Sequence, residues 1–206
     1  MRISRATPKA TKYACLNFHY AKSVPSAKWS FNVFNDSDEW CGVIVYGTGA
    51  NNHIGSPFGL YQGEVVELVR VALNGKQEAT SQAVAMTLRE LHRIAPQVKI
   101  VVSYADLDQG HAGTIYQATN WIYLGSISTG SENAGMIIHG KNVHKKTVTA
   151  RYGTVSVDYL RKNVDKNARY ATTKGKHKYI FVFGKKLRKK WLKQAKPYPK
   201  KEAQHG

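Results

Sequence analysis

The segment Lys99–Tyr104 is the sequence feature that most limits the folds open to this chain. It is a short apolar run with β-branched residues at three consecutive positions, which is typical of a strand buried on both faces of a parallel or mixed sheet. The amphipathic stretch Thr80–Ala95 precedes it and stops before Pro96, and this pattern predicts a helix. Earlier still, Glu64–Leu73 has the composition of a strand. A strand, a helix and a strand in this order predict an α/β fold.

Polar residues gather where the strand 99–104 ends. Asp106, Asp108 and His111 follow it closely, and Tyr116 lies in a predicted short helix over Ala112–Asn120. In open α/β sheets, ligands bind beyond the carboxyl ends of the strands. We therefore expect Asp106, His111 and Tyr116 to converge on one pocket. The alternative is that Asp106 or Asp108 only caps the helix and that His111 is solvated.

The remaining pattern predicts further elements around this centre. They are a loose basic arm over 1–14, a short strand Cys15–Tyr20, a hairpin of Ser30–Phe34 and Trp40–Tyr46, closing strands Met136–His139 and Thr147–Ala150, a strand Lys178–Phe183 and a basic helix Lys185–Lys193. We predict four regions: the arm 1–14, a catalytic core 15–140, a basic part 141–195 that completes the fold, and a disordered tail 196–206.

Positive charge is concentrated in the last third of the chain. Residues 1–140 carry 11 Lys and Arg against 10 Asp and Glu, whereas residues 141–206 carry 20 against 3. Cationic side chains displace counterions from phosphate, and the aromatic residues interleaved with them can stack on bases. A nucleic acid is therefore the predicted partner, with a solvated tail or an anionic membrane as the alternatives. The residues predicted to contact DNA are Lys141, His144, Lys145, Lys146, Arg151, Lys176 and Lys178.

Composition narrows the class of protein further. The two cysteines, Cys15 and Cys41, form no C-x-x-C pair, which argues against a thiolate zinc site and for a reducing compartment. The chain has neither the apolar core of a signal peptide nor an 18-residue apolar run, so we expect a cytoplasmic location and no membrane span.

Several motifs in order resemble the bacteriophage Mom family of DNA-modification proteins. The central ones are SYAD followed by GH-x-G-x-IYQA-x-NW, and FHY, GVIVYGTGAN and ELVRVAL stand upstream of them. The resemblance covers roughly residues 15–180. It implies an acetyltransferase-like (GNAT) fold, with a mixed twisted sheet flanked by helices and, in this chain, a basic C-terminal extension.

The resemblance also implies an activity and a set of residues. Mom-like proteins place a carbamoylmethyl-type group on N6 of adenine, which shields phage DNA from restriction enzymes, so the resemblance implies double-stranded DNA as the partner. The positions that match the family's motifs are His19, Tyr20, Arg70, Ser81, Asp106 and Tyr116. The family is associated with a transition metal, iron in the first place, and His19 and Asp106 are the expected ligands. The residues themselves fit a metal site or metal-free acid–base chemistry equally well.

Two other functions are consistent with the sequence. The first is a coenzyme A-dependent N-acyltransferase, against which the segment Asn74–Ser81 counts, because it has one glycine and an acidic Glu78 where a pyrophosphate loop is expected. This segment therefore argues against acetyl-coenzyme A as a cofactor, and the group donor stays open. The second is a non-catalytic nucleic-acid-binding protein, which the basic last third alone would explain.

Overall fold

The chain folds into two compact units that share a mixed α/β architecture. A computed structural model describes residues 1–49, 53–127 and 135–200, apart from the side chain of Lys146. The first unit comprises Met1–Tyr104, Gly113–Gly125 and Lys178–Lys200. The second comprises Ala105–Ala112 and the described residues of Ser126–His177. The bounds of these units differ from the predicted boundaries at residues 140 and 195. The assignment of catalysis to 15–140 and of DNA binding to 141–195 stays a prediction.

A seven-stranded sheet organises the first unit. Its strands are β1 (Arg2–Arg5), β2 (Trp29–Phe34), β3 (Trp40–Gly47), β4 (Val65–Leu73), β5 (Ile100–Asp106), β6 (Ile122–Ile127) and β10 (Lys176–Val182). Their order across the sheet is β1-β2-β3-β4-β5-β10-β6. The first four strands are antiparallel to their neighbours, and β4 and β5 are parallel. The sheet is therefore mixed, as predicted.

Helices cover this sheet where their apolar faces require burial. They are α1 (Pro8–Asn17), α2 (Thr80–Ile94), the short α3 (Thr114–Gln117) and α6 (Lys185–Leu192). The predicted apolar face of α2 is buried, with Val84, Leu88 and Leu91 all at most 2% exposed. Burial of three such side chains contributes several kcal/mol, roughly 2 kcal/mol each. Trp191 anchors α6 by packing against Phe58 in the core, with ring centroids 5.0 Å apart.

The second unit has a separate small core. A three-stranded sheet, in the order β8-β7-β9, is formed by β7 (Met136–Ile138), β8 (Lys141–Val143) and β9 (Arg169–Tyr170). Helices α4 (Lys145–Tyr152) and α5 (Val157–Asn163) supply its other apolar residues. The core consists of Met136, Ile138, Val148, Leu160 and Ala168.

Three predictions about the ends of the chain are wrong. Residues 1–14 are not a loose arm, because β1 pairs with β2 and α1 begins at Pro8 with Thr7 as its N-cap. Cys15–Tyr20 is not a strand, because Cys15 lies inside α1 and is fully buried. The predicted disordered tail starts too early: Lys196 donates a backbone hydrogen bond to the Tyr123 carbonyl oxygen. Residues 201–206 lie outside the described part.

One predicted strand near the chain's middle is also wrong. Thr147–Ala150 belongs to α4. Its threonines favour strands by propensity, but Val148 is buried in the core of the second unit from its place in a helix.

No helix in the described ranges is both long and apolar enough for a membrane span.

Candidate active site

The site is built where β4 and β5 separate. The two strands pair in parallel only from Val65 opposite Ile100 to Glu67 opposite Val102, although each continues for several residues beyond. A gap therefore opens in the sheet at this point. The Ser103 hydroxyl reaches across it and donates to the Leu68 carbonyl oxygen at 2.9 Å, which satisfies a backbone group that the sheet no longer pairs.

Tyr116 is fixed at the gap by the same serine. Its hydroxyl oxygen lies 2.8 Å from Ser103 Oγ, and the side chain is buried. Because a serine hydroxyl has one proton and a carbonyl oxygen only accepts, Tyr116 donates to Ser103 when Ser103 donates to Leu68. Burial raises the pKa of Tyr116 to about 12. At neutral pH the phenol is therefore protonated and serves as a hydrogen-bonding group, not as an ionised base.

Three more side chains of the first unit lie around Tyr116. Tyr20, Glu67 and Tyr179 are close enough for their negative charges to raise its pKa further, after burial. Glu67 has the same effect on Tyr104, whose pKa is raised mainly by burial. The charge of Glu67 thus acts on two phenols near the point where the strands diverge. Sequence reasoning missed Glu67 and Ser103 as site residues; the signal was a polar residue in the middle of each of two mainly apolar strands.

A bulge brings Glu67 and Arg70 onto one face of β4. Strict alternation would put residues three apart on opposite faces. Glu67 pairs with Gly47, however, and Arg70 pairs with Val45. A step of two residues along β3, from Val45 to Gly47, is thus matched by a step of three along β4. Because Val45 and Gly47 lie on one face of β3, their partners Arg70 and Glu67 lie on one face of β4. The sequence predicted opposite faces unless a bulge intervened, and the bulge is present.

Arg70 is held mainly by its own neighbourhood. One terminal nitrogen donates to the Val69 carbonyl oxygen at 2.7 Å and the other to Ser23 Oγ at 3.3 Å. Its Nε is buried and has no hydrogen-bond partner among the described residues. Arg70 also lies near Cys15, where its charge partly offsets the burial that raises the pKa of that thiol. The guanidinium is thus held in place as a local positive charge, on the same face of β4 as Glu67.

His19 and Ser81 are placed by the ends of helices. His19 follows α1, its Nδ1 accepts a hydrogen bond from the Ala21 backbone at 3.1 Å, and its ring packs 4.4 Å from that of Tyr20. Ser81 is the second residue of α2. Ala79 occupies the N-cap position of α2 and provides no side-chain hydrogen bond, so neither Thr80 nor Ser81 caps the helix.

The acidic residues after β5 have local structural roles within the second unit. Asp106 Oδ1 accepts from the Asp108 backbone at 3.0 Å, which is the capping alternative. Asp108 accepts from Thr173 Oγ1 at 2.5 Å and from the Lys174 backbone at 2.9 Å. These bonds lower the pKa of Asp108. His111 is exposed, and its predicted convergence with Asp106 and Tyr116 stays a prediction.

The described residues do not offer a ligand set for a metal. Among residues 1–49, 53–127 and 135–200, no three or more His, Cys, Asp or Glu side chains are grouped so that they could hold an ion. A transition metal ordinarily takes three or four such protein ligands. The predicted pair His19 and Asp106 therefore does not by itself fit a metal centre.

The residues predicted to contact DNA lie mainly in the second unit. Lys141 is in β8, and His144, Lys145, Lys146 and Arg151 begin or belong to α4, while Lys176 and Lys178 are in β10. Lys145 Nζ lies 4.9 Å from the centre of the Tyr170 ring. Lys178 Nζ lies 4.9 Å from the centre of the Phe58 ring, and burial lowers its pKa. These two lysines thus already make cation–π contacts inside the protein.

Trp121 is excluded from base stacking by its position. It is fully buried and packs 5.0 Å from the Tyr116 ring. The structure therefore gives Trp121 a role in the core. Its contact with Tyr116 adds to the rigidity of the site.

Comparisons with known proteins give the fold and the family. The chain is similar in fold to a point mutant of spermidine N-acetyltransferase from Vibrio cholerae, with a TM-score of 0.50 and 8% identity over 88% of this chain and 95% of that one. A chimera of the Vibrio cholerae enzyme also has a TM-score of 0.50, with 10% identity over 88% of this chain and 96% of the other. The predicted acetyltransferase-like fold is confirmed.

The sequence itself is similar to the methylcarbamoylase Mom of Escherichia phage Mu. The two are 29% identical over 192 residues, which cover 88% of this chain and 76% of the phage Mu protein. The Mom protein family matches residues 1–200. The chain belongs to the Mom protein family.

Proposed function

We propose that this protein is a DNA-modification enzyme that places a carbamoylmethyl-type group on N6 of adenine and so protects DNA from restriction. Membership of the Mom family and the methylcarbamoylase activity of the phage Mu relative support a transferase of this class. The observation that carries the proposal is the gap between β4 and β5, where Glu67 lies opposite Val102 and Ser103 links the Leu68 carbonyl oxygen to the Tyr116 hydroxyl.

Glu67 acts as the general base in this proposal. The lone pair of adenine N6 is delocalised into the ring, so the amine attacks well only as its proton leaves. N6 forms a bond to the carbon of the transferred group, the leaving group of the donor departs with its bonding pair, and one N6 proton passes to the Glu67 carboxylate. A positioned carboxylate contributes about 10²- to 10⁴-fold to such a step.

Tyr116 and Arg70 complete the arrangement. The buried Tyr116 hydroxyl, protonated at neutral pH, offers a hydrogen bond that orients the amine or the donor without competing for the proton. Arg70 lies on the same face as Glu67 and supplies positive charge where negative charge develops on the donor. Because N6 takes part in base pairing, the adenine must leave the duplex, which costs a few kcal/mol. No step is assigned to a metal, since the described residues do not fit one.

The test is nucleoside mass spectrometry of DNA from cells that express the full chain. We expect a heavier deoxyadenosine with the unaltered protein and a loss of at least about 100-fold with Glu67→Gln. Asp106→Asn tests the competing carboxylate that the family motifs single out: it removes the same charge but keeps an oxygen to accept from the Asp108 backbone. Loss with Asp106→Asn and not with Glu67→Gln would move the base to Asp106. Unmodified DNA from cells with folded, unaltered protein would favour a non-catalytic nucleic-acid-binding protein.

A coenzyme A-dependent N-acyltransferase is the second candidate. The observation in its favour is that no side chain caps the N-terminus of α2, so its backbone N–H groups are suited to a phosphate. Against this candidate, Glu78 lies just before that helix and would bring negative charge toward a phosphate. Its carboxylate accepts a hydrogen bond from the Asp36 backbone at 2.7 Å. Titration calorimetry with acetyl-coenzyme A separates the two candidates, because tight binding would favour the acyltransferase.

A further inference from the structure

The second unit contains an open pocket that the proposed chemistry does not use. Its volume is about 660 Å³, and its lining includes Ile137, His139, Arg161, Asp165, Lys166 and Arg169. Strands β7 and β9, the last turn of α5 and the turn that follows it each contribute a wall. This volume lies within the range of small-ligand pockets, roughly 300–1,000 Å³.

The pocket carries an excess of positive charge. Arg161, Lys166 and Arg169 contribute three cations against the single carboxylate of Asp165. None of the three cations forms an ion pair with any residue in the described ranges. Both Asp165 oxygens accept backbone hydrogen bonds, from His139 at 2.7 Å and from Asn167 at 2.9 Å. Asp165 therefore serves to fold the turn and does not neutralise the cations by direct contact.

The cations are held on rigid elements. Arg161 Nε donates to the Ala168 carbonyl oxygen at 2.9 Å, which fixes the plane of the guanidinium and leaves its two terminal nitrogens for a ligand. Arg169 lies in β9, paired opposite Ile137 of β7, so its backbone position is set by the sheet. Planar guanidinium groups bind phosphate oxygens in pairs, and preorganised ones lose little entropy on binding.

We propose that this pocket binds a backbone phosphodiester of double-stranded DNA and so anchors the substrate. The proposal rests on the proposed function and adds a contact surface distinct from the lysines predicted from the sequence. A free nucleoside monophosphate shares the same chemistry. The lining favours the backbone, because the described residues that form it include three cations but no Phe, Tyr or Trp, and His139 is the one ring among them. The surroundings agree, since residues 135–177 carry 10 Lys and Arg against 2 Asp.

The test compares two double variants of the full chain. Lys166→Gln with Arg169→Gln removes two pocket cations. Lys162→Gln with Arg89→Gln removes the same two kinds of charge from exposed positions outside the pocket. Binding of a fluorescent 20-base-pair duplex is followed by anisotropy over a range of salt concentrations. We expect the pocket variant to bind about tenfold more weakly at 100 mM salt, and the slope of log K against log salt to fall by about 2.

A charge-conserving variant and a free ligand sharpen the result. Lys166→Arg with Arg169→Lys is expected to retain most of the affinity, and thermal melts establish that all variants are folded. Equal losses in the pocket and control variants would overturn the proposal in favour of diffuse charge. It would also be overturned if the pocket variant lost binding of deoxyadenosine monophosphate, measured by calorimetry, while its affinity for the duplex was unchanged.

The DNA-binding test and the test of the proposed function can fail separately. If the pocket binds DNA but no heavier deoxyadenosine forms in cells, the proposed function is wrong and the proposed binding site is retained. If heavier deoxyadenosine forms and the pocket variant binds the duplex like the unaltered protein, the proposed binding site is wrong and the proposed function is retained.

Discussion

At the scale of single residues, the site depends on a buried hydroxyl pair. Tyr116 and Ser103 are linked at 2.8 Å, and Ser103 is also linked to the Leu68 carbonyl oxygen. Neither residue is charged at neutral pH, and together they link α3 and β5 to the backbone of β4. The consequence is that the pair stabilises the fold only while Tyr116 keeps its proton.

The first prediction concerns Tyr116→Phe as a function of pH. Below pH 10 the variant should be less stable by about 1 kcal/mol, the net value of one hydrogen bond, because Ser103 still donates to Leu68. The pKa of Tyr116 is about 12 in the folded state, against an ordinary value of 10.0. Between these values the unfolded chain ionises first, so the unaltered protein loses stability as pH rises, by about 1 kcal/mol at pH 11.

Urea unfolding at pH 8 and pH 11 measures this difference. The deficit of Tyr116→Phe should shrink or vanish at the higher pH, because phenylalanine has no proton to lose. Tyr61→Phe is the control, since Tyr61 is 83% exposed and should give the same difference at both values. A deficit for Tyr116→Phe that is constant with pH would contradict the burial of an ionisable hydroxyl at this position.

At the scale of elements, the central sheet leaves no room for a larger side chain where β3 and β4 approach each other closely. Gly42 of β3 lies between Val33 of β2 and Leu73 of β4, and its φ is +126°. A Cβ at this position would come within 2.1 Å of the Ala72 carbonyl oxygen. The obstacle is backbone of the neighbouring strand, which can move only if the sheet does.

The second prediction follows for Gly42→Ala. We expect a loss of at least about 2 kcal/mol in the free energy of unfolding, from overpacking and backbone strain together. Gly75→Ala is the matched control, because Gly75 also has a positive φ, of +86°, but nothing lies within 4 Å of its added Cβ. It should cost about 1 kcal/mol. Equal losses in chemical denaturation would mean that the close approach of β3 and β4 is not a constraint.

Elements with strong apolar patterns were predictable from the sequence. The helix predicted over Thr80–Ala95 is observed as Thr80–Ile94, and the strand predicted over Glu64–Leu73 is observed as Val65–Leu73. Periodicity suffices there because each element buries most of one face. Around Cys15 it fails: two small buried residues, Ala14 and Cys15, pack α1 against the sheet, and so short an apolar signal does not distinguish a helix from a strand.

The candidate site was less predictable than the elements that carry it. Motif matching identified Tyr20, Arg70 and Tyr116, but alternation along β4 separated Glu67 from Arg70. The bulge that reunites them is a property of the pairing between β3 and β4, and no local pattern in either strand encodes it. Asp106, the most prominent carboxylate in the sequence, caps the turn after β5, and its catalytic role stays a prediction.

At the scale of the whole molecule, charge is divided between the parts of the chain. The net charge is +18, of which +17 lies in residues 141–206 and +1 in residues 1–140. Glu67, Tyr116 and Arg70 thus belong to a nearly neutral stretch of sequence, while most of the cations belong to another. Affinity for DNA and the chemistry on the base should therefore be separable by mutation.

The third prediction is that DNA affinity depends steeply on salt and not on Glu67. If four phosphates are contacted, binding of a 20-base-pair duplex should weaken by about 100-fold between 50 and 200 mM salt, with similar slopes for duplexes of different sequence. Glu67→Gln should follow the same line within error, because it removes a carboxylate from the site and no cation from the last third of the chain. Anisotropy titrations measure both slopes. A flat dependence on salt would mean that the basic last third does not contact phosphate, and a steeper or shallower slope for Glu67→Gln would mean that the site and the DNA-binding surface are one.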